Sequence, residues 1–564
     1  MALVEIQNLS FTYPGTDRLA LTGVDLTVRE GSFVLIAGPS GCGKSTLLRR
    51  LKPAIAPYGR VGGAVFFEGE PIEALPERRQ AAEIGFVMQD PEMQIVTDKV
   101  WHELAFGLEN LGTDQRTMRV RVAEMANFFG IQSWYNKNVS ELSGGQKQLL
   151  CLAAVMVMQP KLLLLDEPTS QLDPIAAGEF FDTLKRINTE LGTTIIVTEH
   201  RTEALFPLVD EVVFMRGGGI FYSGTPRSCA KIFSTAPEFA AVLPTAMTCF
   251  ASCSGDNETE APLTVREGRS WLEKRVGACE TALFPETSSG GKVPKAEKAE
   301  YKAKKPLLEM REVYFRYERS APDILKGADL SVREGELFCI MGGNGAGKTT
   351  AIMAASGLYR PYRGKVLFEG KSIFSIPETK RLGETVAVLF QNPRLSFVKD
   401  SIREELNAVV KRFKLEPSRL DEVAELMELG PILDSNPYDI SGGELQRAAI
   451  AKLLLPRPRV LFLDEATKGM DAFFKARFGA LLRKLCAEGT AVVLVSHDIE
   501  FCAEYADRLA MFFDGGVIAE GTPRDVLAGN SFYTTAAGRI ARGILPGAVT
   551  ANEIIAALGG KPNE

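Results

Sequence analysis

The hydrophobic positions of the chain fall into short, continuous apolar runs that alternate with stretches of helical spacing. Two runs, at residues 34–37 and 338–341, end in Gly-rich turns, and helical spacing follows each, at 45–51 and 349–358. Further apolar runs lie at residues 162–165, 194–198, 460–463 and 491–496. Such runs are typical of strands buried on both faces of a parallel sheet, so the pattern predicts an α/β fold.

The two halves of the chain carry the same motifs in the same order. The matched segments are GPSGCGKS at 38–45 with GGNGAGKT at 342–349, LSGGQ at 142–146 with ISGGE at 440–444, LDE at 165–167 with LDE at 463–465, and Glu199-His200 with Ser496-His497. The offset between matched residues stays between 297 and 304. This internal repeat predicts two homologous domains in tandem.

The composition changes between the halves, where residues 285–305 are rich in Ser, Gly, Lys, Ala and Glu. This change predicts a flexible linker, and about 20 such residues span ~25 Å, enough for the halves to sit face to face. The predicted divisions are a first domain at 1–235, its extension at 236–283, the linker at 284–305, a second domain at 306–531 and its extension at 532–564.

Charge and cysteine content narrow the possible partners and compartment. The 564 residues carry a net charge of −6, which offers no global attraction to nucleic acid or anionic lipid. Nine scattered cysteines without a C-x-x-C pair indicate reduced thiols. The longest uncharged stretch, 239–255, falls short of the ~20 apolar residues that cross a bilayer, and the first ten residues lack the pattern of a signal peptide. We therefore expect no transmembrane span.

The first repeated motif has the form G-x-x-x-x-G-K-[ST], between a predicted strand and a predicted helix. Its glycines let backbone N–H groups surround a polyphosphate, its lysine neutralises β- and γ-oxygens, and its Ser or Thr hydroxyl ligates Mg²⁺. The candidate phosphate-binding residues are Gly38, Ser40, Gly41, Gly43, Lys44, Ser45 and Thr46, with Gly342, Asn344, Gly345, Gly347, Lys348, Thr349 and Thr350. Ser45 and Thr349 are also candidate metal ligands.

Acidic residues and histidines end the other predicted strands. Asp166 and Asp464 are candidate Mg²⁺ ligands, and the next residues, Glu167 and Glu465, can polarise an attacking water. The chain contains three histidines. His200 and His497 stand at matching strand ends and are candidates for contact with the γ-phosphate or the water, whereas we expect His102 to be structural.

The Ser-Gly-Gly segments begin regions of helical spacing and can present N–H groups at a helix N-terminus. They form a second phosphate-facing element. One domain cannot easily direct both elements at one phosphate, which predicts a head-to-tail pair. The candidate residues are Ser143, Gly144 and Gly145, with Ser441, Gly442 and Gly443.

Together with Gln89 and Gln391, these motifs resemble the ATP-binding-cassette (ABC) ATPases over nearly all of both halves. The resemblance implies two P-loop NTPase domains, each with an α/β core, a helical subdomain and a small C-terminal extension. It also implies that two ATP molecules, with Mg²⁺, bind between the two domains. It implies catalytic and metal-binding roles for both glutamines. It also implies that Tyr13 and Tyr317 stack on adenine, although either can be a core aromatic residue.

The second half departs from the family pattern. Ile440 and Glu444 replace Leu and Gln of the signature motif, and Ala466 replaces the Pro found in the first half at Pro168. Because both glutamates and both histidines are present, we expect two hydrolytic sites of unequal rate.

Residues 89–110 resemble the ATPases of energy-coupling factor importers, and residues 391–397 resemble them more loosely. In those importers this segment receives a transmembrane coupling protein that works with a small substrate-binding membrane protein. The resemblance implies a peripheral protein at the cytoplasmic face of the membrane, with Asp90, Glu92 and Gln94 as candidate contacts. A solvated acidic turn is the alternative. The extensions after each half, at 239–283 and 532–558, resemble the C-terminal extension of the same ATPases.

Two alternatives remain open: the twin ATPase of a sugar-type importer, and a cassette protein that acts on ribosome or nucleic acid. The short linker and the absence of paired C-x-x-C motifs argue against the second. No nucleic-acid partner is expected. The transported molecule, a vitamin or a metal ion in such importers, cannot be identified from these residues.

Overall fold

The computed structural model describes residues 1–232, 236–253, 260–278, 305–530 and 533–560. The chain divides into two compact units. The first comprises residues 1–268 and 471–473, and the second comprises residues 269–470 and 474–564. The predicted linker at 284–305 lies outside the described residues except for Lys305. The domain boundaries proposed from the sequence stay predictions, as does the head-to-tail arrangement.

A small antiparallel sheet opens the first unit, in the strand order β2-β1-β4-β5. Its strands are β1 (Ala2–Thr12), β2 (Leu19–Arg29), β4 (Arg60–Phe67) and β5 (Glu70–Pro71). On β2, Val24, Leu26 and Val28 are buried while the residues between them are exposed. This alternation places one face of the sheet against the core and the other in water.

The central sheet of the first unit has the order β10-β9-β3-β8-β7-β6. Its strands are β3 (Phe33–Ala37), β6 (Ile84–Val87), β7 (Leu162–Asp166), β8 (Thr194–Thr198), β9 (Glu211–Arg216) and β10 (Gly219–Gly224). All neighbouring pairs are parallel except β9 with β10. Every residue of β3, β7 and β8 is buried, as the continuous apolar runs predict.

The helices of this part of the chain are α1 (Lys44–Arg50), α2 (Glu77–Glu83), α3 (Val100–Asn110), α4 (Gln115–Phe128), α5 (Gly144–Met156), α6 (Pro174–Leu191), α7 (Thr245–Cys253) and α8 (Val265–Ala278). Short 3₁₀ turns lie at Pro53–Ile55, Ile72–Ala74, Pro91–Met93, Gln132–Trp134, Val139–Glu141, Pro226–Lys231 and Pro237–Val242. The helices α7 and α8 belong to the predicted extension, of which residues 254–259 and 279–283 lie outside the described part.

The second unit repeats both sheets, with the orders β12-β11-β14-β15 and β16-β17-β18-β13-β19-β20. The strands are β11 (Leu308–Phe315), β12 (Leu325–Val332), β13 (Leu337–Gly342), β14 (Arg363–Phe368), β15 (Lys371–Ser372), β16 (Val386–Leu389), β17 (Val460–Asp464), β18 (Ala491–Val495), β19 (Arg508–Phe513) and β20 (Gly516–Gly521). Only β19 with β20 pairs antiparallel in the six-stranded sheet.

The helices of the second part of the chain are α9 (Lys348–Ala355), α10 (Glu378–Arg381), α11 (Ile402–Phe413), α12 (Ser418–Leu426), α13 (Gly442–Leu454), α14 (Ala472–Ala487), α15 (Ile499–Tyr505), α16 (Pro523–Leu527), α17 (Ala536–Ala541) and α18 (Ala551–Ala557). Short 3₁₀ turns lie at Ile373–Ser375, Pro393–Ser396 and Gly430–Ile432. The helix predicted at 349–358 stops earlier because Gly357 adopts a left-handed conformation, with φ +77°.

The first helix of each unit packs between the two sheets. In the first unit, Phe11 and Val28 of the antiparallel sheet, Leu47 of α1 and Ile36 of the central sheet belong to one buried cluster. Each such side chain contributes about 1.5–3 kcal/mol by its removal from water. The predicted α/β class is therefore confirmed, and the antiparallel sheet, which the apolar runs did not reveal, completes the core.

Two expectations from the composition can be compared with the described residues. Within them, no helix combines the length and the apolar character needed to cross a membrane. Eight of the nine cysteines lie in the described part of the chain, seven of them buried, and Cys279 lies outside it.

Candidate functional site

The loop between β3 and α1 wraps around a buried lysine. Lys44 begins α1 and is 4% exposed, and its Nζ donates hydrogen bonds to the carbonyl oxygens of Gly38 at 2.8 Å and Pro39 at 3.1 Å. Gly43 has φ +104°, and a Cβ there would lie 2.6 Å from the carbonyl oxygen of Ala20. Only glycine fits at this position, so the sequence dictates a loop that closes at a helix N-terminus, where phosphate binds favourably.

The second unit builds the same loop between β13 and α9. Lys348 is buried, and its Nζ donates to the carbonyl oxygens of Gly342 at 2.9 Å and Gly343 at 2.8 Å. Gly347, with φ +98°, precedes the helix as Gly43 does in the first unit. The remaining predicted loop residues, Ser40, Gly41, Asn344 and Gly345, lie in the two loops, and Ser45, Thr46, Thr349 and Thr350 lie on the first turns of the helices.

Two hydroxyl groups hold Asp166 at the end of β7. The Oγ of Ser45 and the Oγ1 of Thr198 donate to the same carboxylate oxygen, at 2.8 and 3.0 Å. Burial raises the pKa of Asp166 more than these two hydrogen bonds lower it. The structure thus brings together the predicted ligands Ser45 and Asp166, and it adds Thr198, which sequence reasoning missed.

Glu167 lies in a network of predicted catalytic residues. His200 Nε2 is 2.8 Å from one carboxylate oxygen of Glu167, and Gln89 Nε2 donates to the other at 2.9 Å. Burial raises the pKa of Glu167, but the hydrogen bond and charge of His200, with the charge of Lys44, outweigh it and leave that pKa below its usual value. The side chain is therefore ionised at neutral pH. Gln89 contacts Glu167, and no contact of its amide with Asp166 is seen among the described residues.

A second acidic residue, Glu199, organises the backbone beside the histidine. It is 2% exposed, and one of its carboxylate oxygens accepts a hydrogen bond from the backbone N–H of Thr169 at 2.8 Å while the other accepts one from the N–H of His200 at 2.9 Å. A buried carboxylate with such partners fixes the segments that it joins. From the sequence, Glu199 is identified only as the residue that matches Ser496, because its role depends on its burial.

The matching aspartate of the second unit has fewer partners. Asp464 is 2% exposed, and within the described residues neither carboxylate oxygen has a hydrogen-bond partner. Val495 stands where the first unit has Thr198, so the second hydroxyl is missing. Burial raises the pKa of Asp464, and nearby Thr349 and Lys348 lower it by less, so the pKa is about 6.

The contacts around Glu465 are also longer than those around Glu167. His497 Nε2 lies 3.2 Å from Glu465 Oε1, outside hydrogen-bond geometry, and Gln391 Nε2 donates to Oε2 at 3.4 Å. Burial raises the pKa of Glu465, but His497 and Lys468 lower it by more, so the pKa lies below its usual value. The chemistry of the two units is the same, and the first unit holds its glutamate more closely.

These residues fit a magnesium ion. Hydroxyl and carboxylate oxygens are the donors that Mg²⁺ prefers, and the buried, unpartnered oxygens of Asp464 are suited to a cation. Within the described residues no group of three or more His, Cys, Asp or Glu side chains could hold a metal. In the first unit one hydroxyl and one carboxylate, of Ser45 and Asp166, lie together, and phosphate oxygens and water complete such a site in phosphoryl-transfer proteins.

The two candidate adenine-binding tyrosines occupy matching places. Tyr13 and Tyr317 hydrogen-bond through their hydroxyls to Thr46 and Thr350, at 3.0 and 3.1 Å, which ties each ring to the helix after the phosphate loop. Tyr13 is 38% exposed and Tyr317 is 60% exposed. Exposed ring surface beside the loop is compatible with stacking on a base and argues against a purely core role.

The Ser-Gly-Gly segments form the predicted helix N-termini. Ser143 and Ser441 are the N-cap residues of α5 and α13, and each takes part in a capping box. Gly144, Gly145, Gly442 and Gly443 form the first turns. The Ser441 hydroxyl donates to Glu444 at 2.7 Å, so the unusual Glu of the second signature engages the serine hydroxyl.

Comparison with known proteins places these features in one family. The ABC transporter family profile matches residues 21–170 and 325–468. A Bacillus thuringiensis subsp. konkukian protein, assigned as an ABC transporter ATP-binding protein, is 40% identical over 98% of this chain and 98% of its own length. A Methanosarcina acetivorans protein assigned in the same way is 33% identical over 93% of this chain and 86% of its own length.

One solved structure shares the fold over most of this chain. The archaeal ribosome recycling factor aABCE1, in complex with the ribosomal stalk protein aP1, gives a TM-score of 0.56 at 20% identity over 92% of this chain and 90% of that chain. CbiO1 of Clostridium perfringens, part of the ABC transporter complex cbiONQ, is 30% identical over 42% of this chain and 97% of that chain, with a TM-score of 0.38. The profile matches and the relatives show that this chain belongs to the ABC transporter ATP-binding family, as an ATPase with two ATP- and Mg²⁺-binding cassettes.

Proposed function

We propose that this chain is the ATP-hydrolysing subunit of an energy-coupling factor type importer for a vitamin or a metal ion. In this proposal it sits at the cytoplasmic face of the membrane and binds a transmembrane coupling protein that works with a small substrate-binding membrane protein. The observation that carries the proposal is a short segment that reaches from the catalytic glutamate to an exposed surface in each cassette.

In the first cassette this segment begins at Gln89, which donates to Glu167. A few residues later it exposes large apolar side chains, with Met93 73% and Val96 66% exposed. A cleft of about 320 Å³ lies beside them, lined by Glu92, Ile95, Thr97, Asp98, Asn138, Val139, Ser140 and Lys147. We name the surface formed by Glu92, Met93, Val96, Asp98 and Trp101 the first docking face.

The segment is held firmly beneath this face. Gln94 accepts a hydrogen bond from the N–H of Met88 at 2.8 Å and donates to the carbonyl oxygen of Phe86 at 3.2 Å. Glu103, which is buried, accepts hydrogen bonds from two further N–H groups of the segment. Gln94, a candidate partner contact from the sequence, is therefore better explained as a residue that holds the segment in place.

The second cassette presents a similar surface after Gln391. We name the surface formed by Arg394, Leu395, Val398 and Lys399 the second docking face. Leu395 is 79% and Val398 is 85% exposed. Exposed apolar side chains of this size beside charged ones are typical of a surface that binds another protein. A membrane partner that contacts both faces can respond to the state of both catalytic glutamates.

The catalytic roles proposed for the residues follow from their contacts. Lys44 and Lys348 neutralise phosphate oxygens. Ser45 with Asp166, or Thr349 with Asp464, would hold Mg²⁺, which when bound would supply charge neutralisation at the transferred phosphoryl group. Ionised Glu167 and Glu465 accept a proton from the attacking water at a carboxylate oxygen. His200 and His497 orient these glutamates, Gln89 and Gln391 link them to the docking faces, and Tyr13 and Tyr317 stack on adenine.

We expect the two cassettes to hydrolyse ATP at unequal rates, with the first faster because its glutamate has the shorter contacts. Changing Glu167→Gln or Glu465→Gln removes the proton acceptor and slows hydrolysis at that cassette by about 100-fold or more. Single-turnover measurement of each variant should leave residual activity in both, with the larger loss in Glu167→Gln. Complete loss in one variant and none in the other contradicts two active sites.

A second prediction concerns the hydroxyl that only the first cassette gives to its aspartate. With Glu465→Gln as background, Thr198→Val should raise the Mg²⁺ concentration for half-maximal hydrolysis about tenfold, as the loss of an outer hydrogen bond to a metal ligand does. With Glu167→Gln as background, Val495→Thr is the matched gain and should lower that concentration. Equal Mg²⁺ dependence before and after both changes contradicts the metal role of the aspartates.

The importer itself is tested by affinity purification of the full chain from detergent-solubilised membranes of its own organism, followed by mass spectrometry. The proposal expects a polytopic membrane protein together with a small hydrophobic one. A matched variant carries Met93→Asp and Val96→Asp. It should retain neither membrane protein, because charge on the apolar part of the first docking face opposes burial. Retention of ribosomal proteins, or of no membrane protein, contradicts the proposal.

A further inference from the structure

The two docking faces differ in charge, with one aligned position of opposite charge, Glu92 and Arg394, and one aspartate, Asp98 or Asp400, that both segments share. Residues 90–100 align with 392–402 at a constant offset of 302, set by Gln89 with Gln391 and by Val100 with Ile402. The first segment contains three acidic residues and one basic residue, whereas the second contains two basic residues and one acidic residue. In this alignment Glu92 corresponds to Arg394, and Thr97 corresponds to Lys399.

The backbone frame beneath these charges is the same in both cassettes. Asp90 caps the turn Pro91–Met93 through the N–H of Glu92, and Asn392 caps the turn Pro393–Ser396 through the N–H of Arg394, each at 3.1 Å. The buried Glu405 accepts a hydrogen bond from the N–H of Lys399 at 3.0 Å, as Glu103 does from the N–H of Thr97 at 2.8 Å. Since the frames match, the difference between the faces lies in their side chains.

These charges are available to a partner. Glu92 contacts Lys147, yet its side chain is 65% exposed while that of Lys147 is 15% exposed, so the carboxylate is the more accessible group. Arg394 and Lys399 are exposed, and within the described part of the chain no ion pair of either is seen; the exposed Asp400, which follows Lys399, leaves this segment with one net positive charge. The first face therefore presents negative charge beside Met93, and the second presents positive charge beside Leu395.

We propose that the two faces bind oppositely charged cytoplasmic segments of one membrane partner: a basic amphipathic segment at the first docking face and an acidic one at the second. This inference rests on the proposed function. Exposed charges contribute little to affinity but strongly disfavour a partner of like charge. The fused chain therefore docks in a single orientation, because exchanging its two faces would place like charges together.

The test uses two labelled helical peptides that share one apolar face and carry either three arginines or three glutamates. Their affinities for the full chain are measured by fluorescence anisotropy, with Glu92→Arg, Arg394→Glu and the unchanged chain. We expect Glu92→Arg to weaken the arginine peptide by about fivefold or more and Arg394→Glu to weaken the glutamate peptide by a similar factor, with less than about twofold effect in each crossed combination.

Matched controls reverse charges on the helices after β7 and β17, away from both docking faces. Glu179→Arg on α6 and Lys484→Glu on α14 change the net charge as the test variants do, and both residues are exposed. They should leave both affinities unchanged. Equal responses of the two peptides, responses to the control changes, or no response to Glu92→Arg would overturn the inference. Loss of self-association in Glu92→Arg would overturn it by assigning the face to a second copy of the chain.

Failure of this inference is separable from failure of the importer role. Membranes of the source organism, washed free of peripheral proteins, are sedimented with the unchanged chain and with each variant. Saturable binding that neither charge reversal weakens retains the importer and overturns the charge assignment. Peptide preferences as expected, without saturable membrane binding by the unchanged chain, support the charge assignment and contradict the importer.

Discussion

Lys44, Asp166 and Glu167 stand at the carboxyl edge of strands that are buried on both faces, where a charge without partners is very costly. Each of these charged side chains is stabilised by polar groups that lie against it. Carbonyl oxygens of its own loop surround Lys44, two hydroxyls hold Asp166, and His200 with Gln89 hold Glu167. The partners of Asp166 and Glu167 come from α1, from the end of β8 and from the segment after β6, so the fold must be complete before the site exists.

The second cassette shows what happens when one partner is lost. Val495 cannot donate the hydrogen bond that Thr198 gives to Asp166, and the buried Asp464 consequently depends on a cation for compensation. Its raised pKa has the same physical origin. The two cassettes thus differ at a residue outside the phosphate loops, while Lys44 and Lys348 keep equivalent contacts with those loops.

The fold and the primary site residues could be predicted because both depend on local patterns. Continuous apolar runs identified the strands that carry the site, β3, β7 and β8 with their repeats, but not β6 and β9 or their repeats, and the spacing around Lys44 and Lys348 identified the phosphate loops. The antiparallel sheets were missed because buried and exposed residues alternate in them, as they do around Val24, Leu26 and Val28, so that β2 contains no continuous apolar run. The roles of Thr198 and Glu199 depend on which strands become neighbours: parallel pairing places Thr198 opposite Asp166, a contact that sequence spacing does not encode.

The same reasoning explains why the docking faces can be linked to catalysis. The residues after Gln89 cannot move freely, because Gln94 is tied to β6 and Glu103 holds the following N–H groups. In the proposed function, a partner that displaces Met93 or Val96 would displace the whole segment, including the hydrogen bond between Gln89 and Glu167. A rigid segment with one end in the catalytic network and the other on an exposed surface is the physical requirement for coupling a partner to hydrolysis.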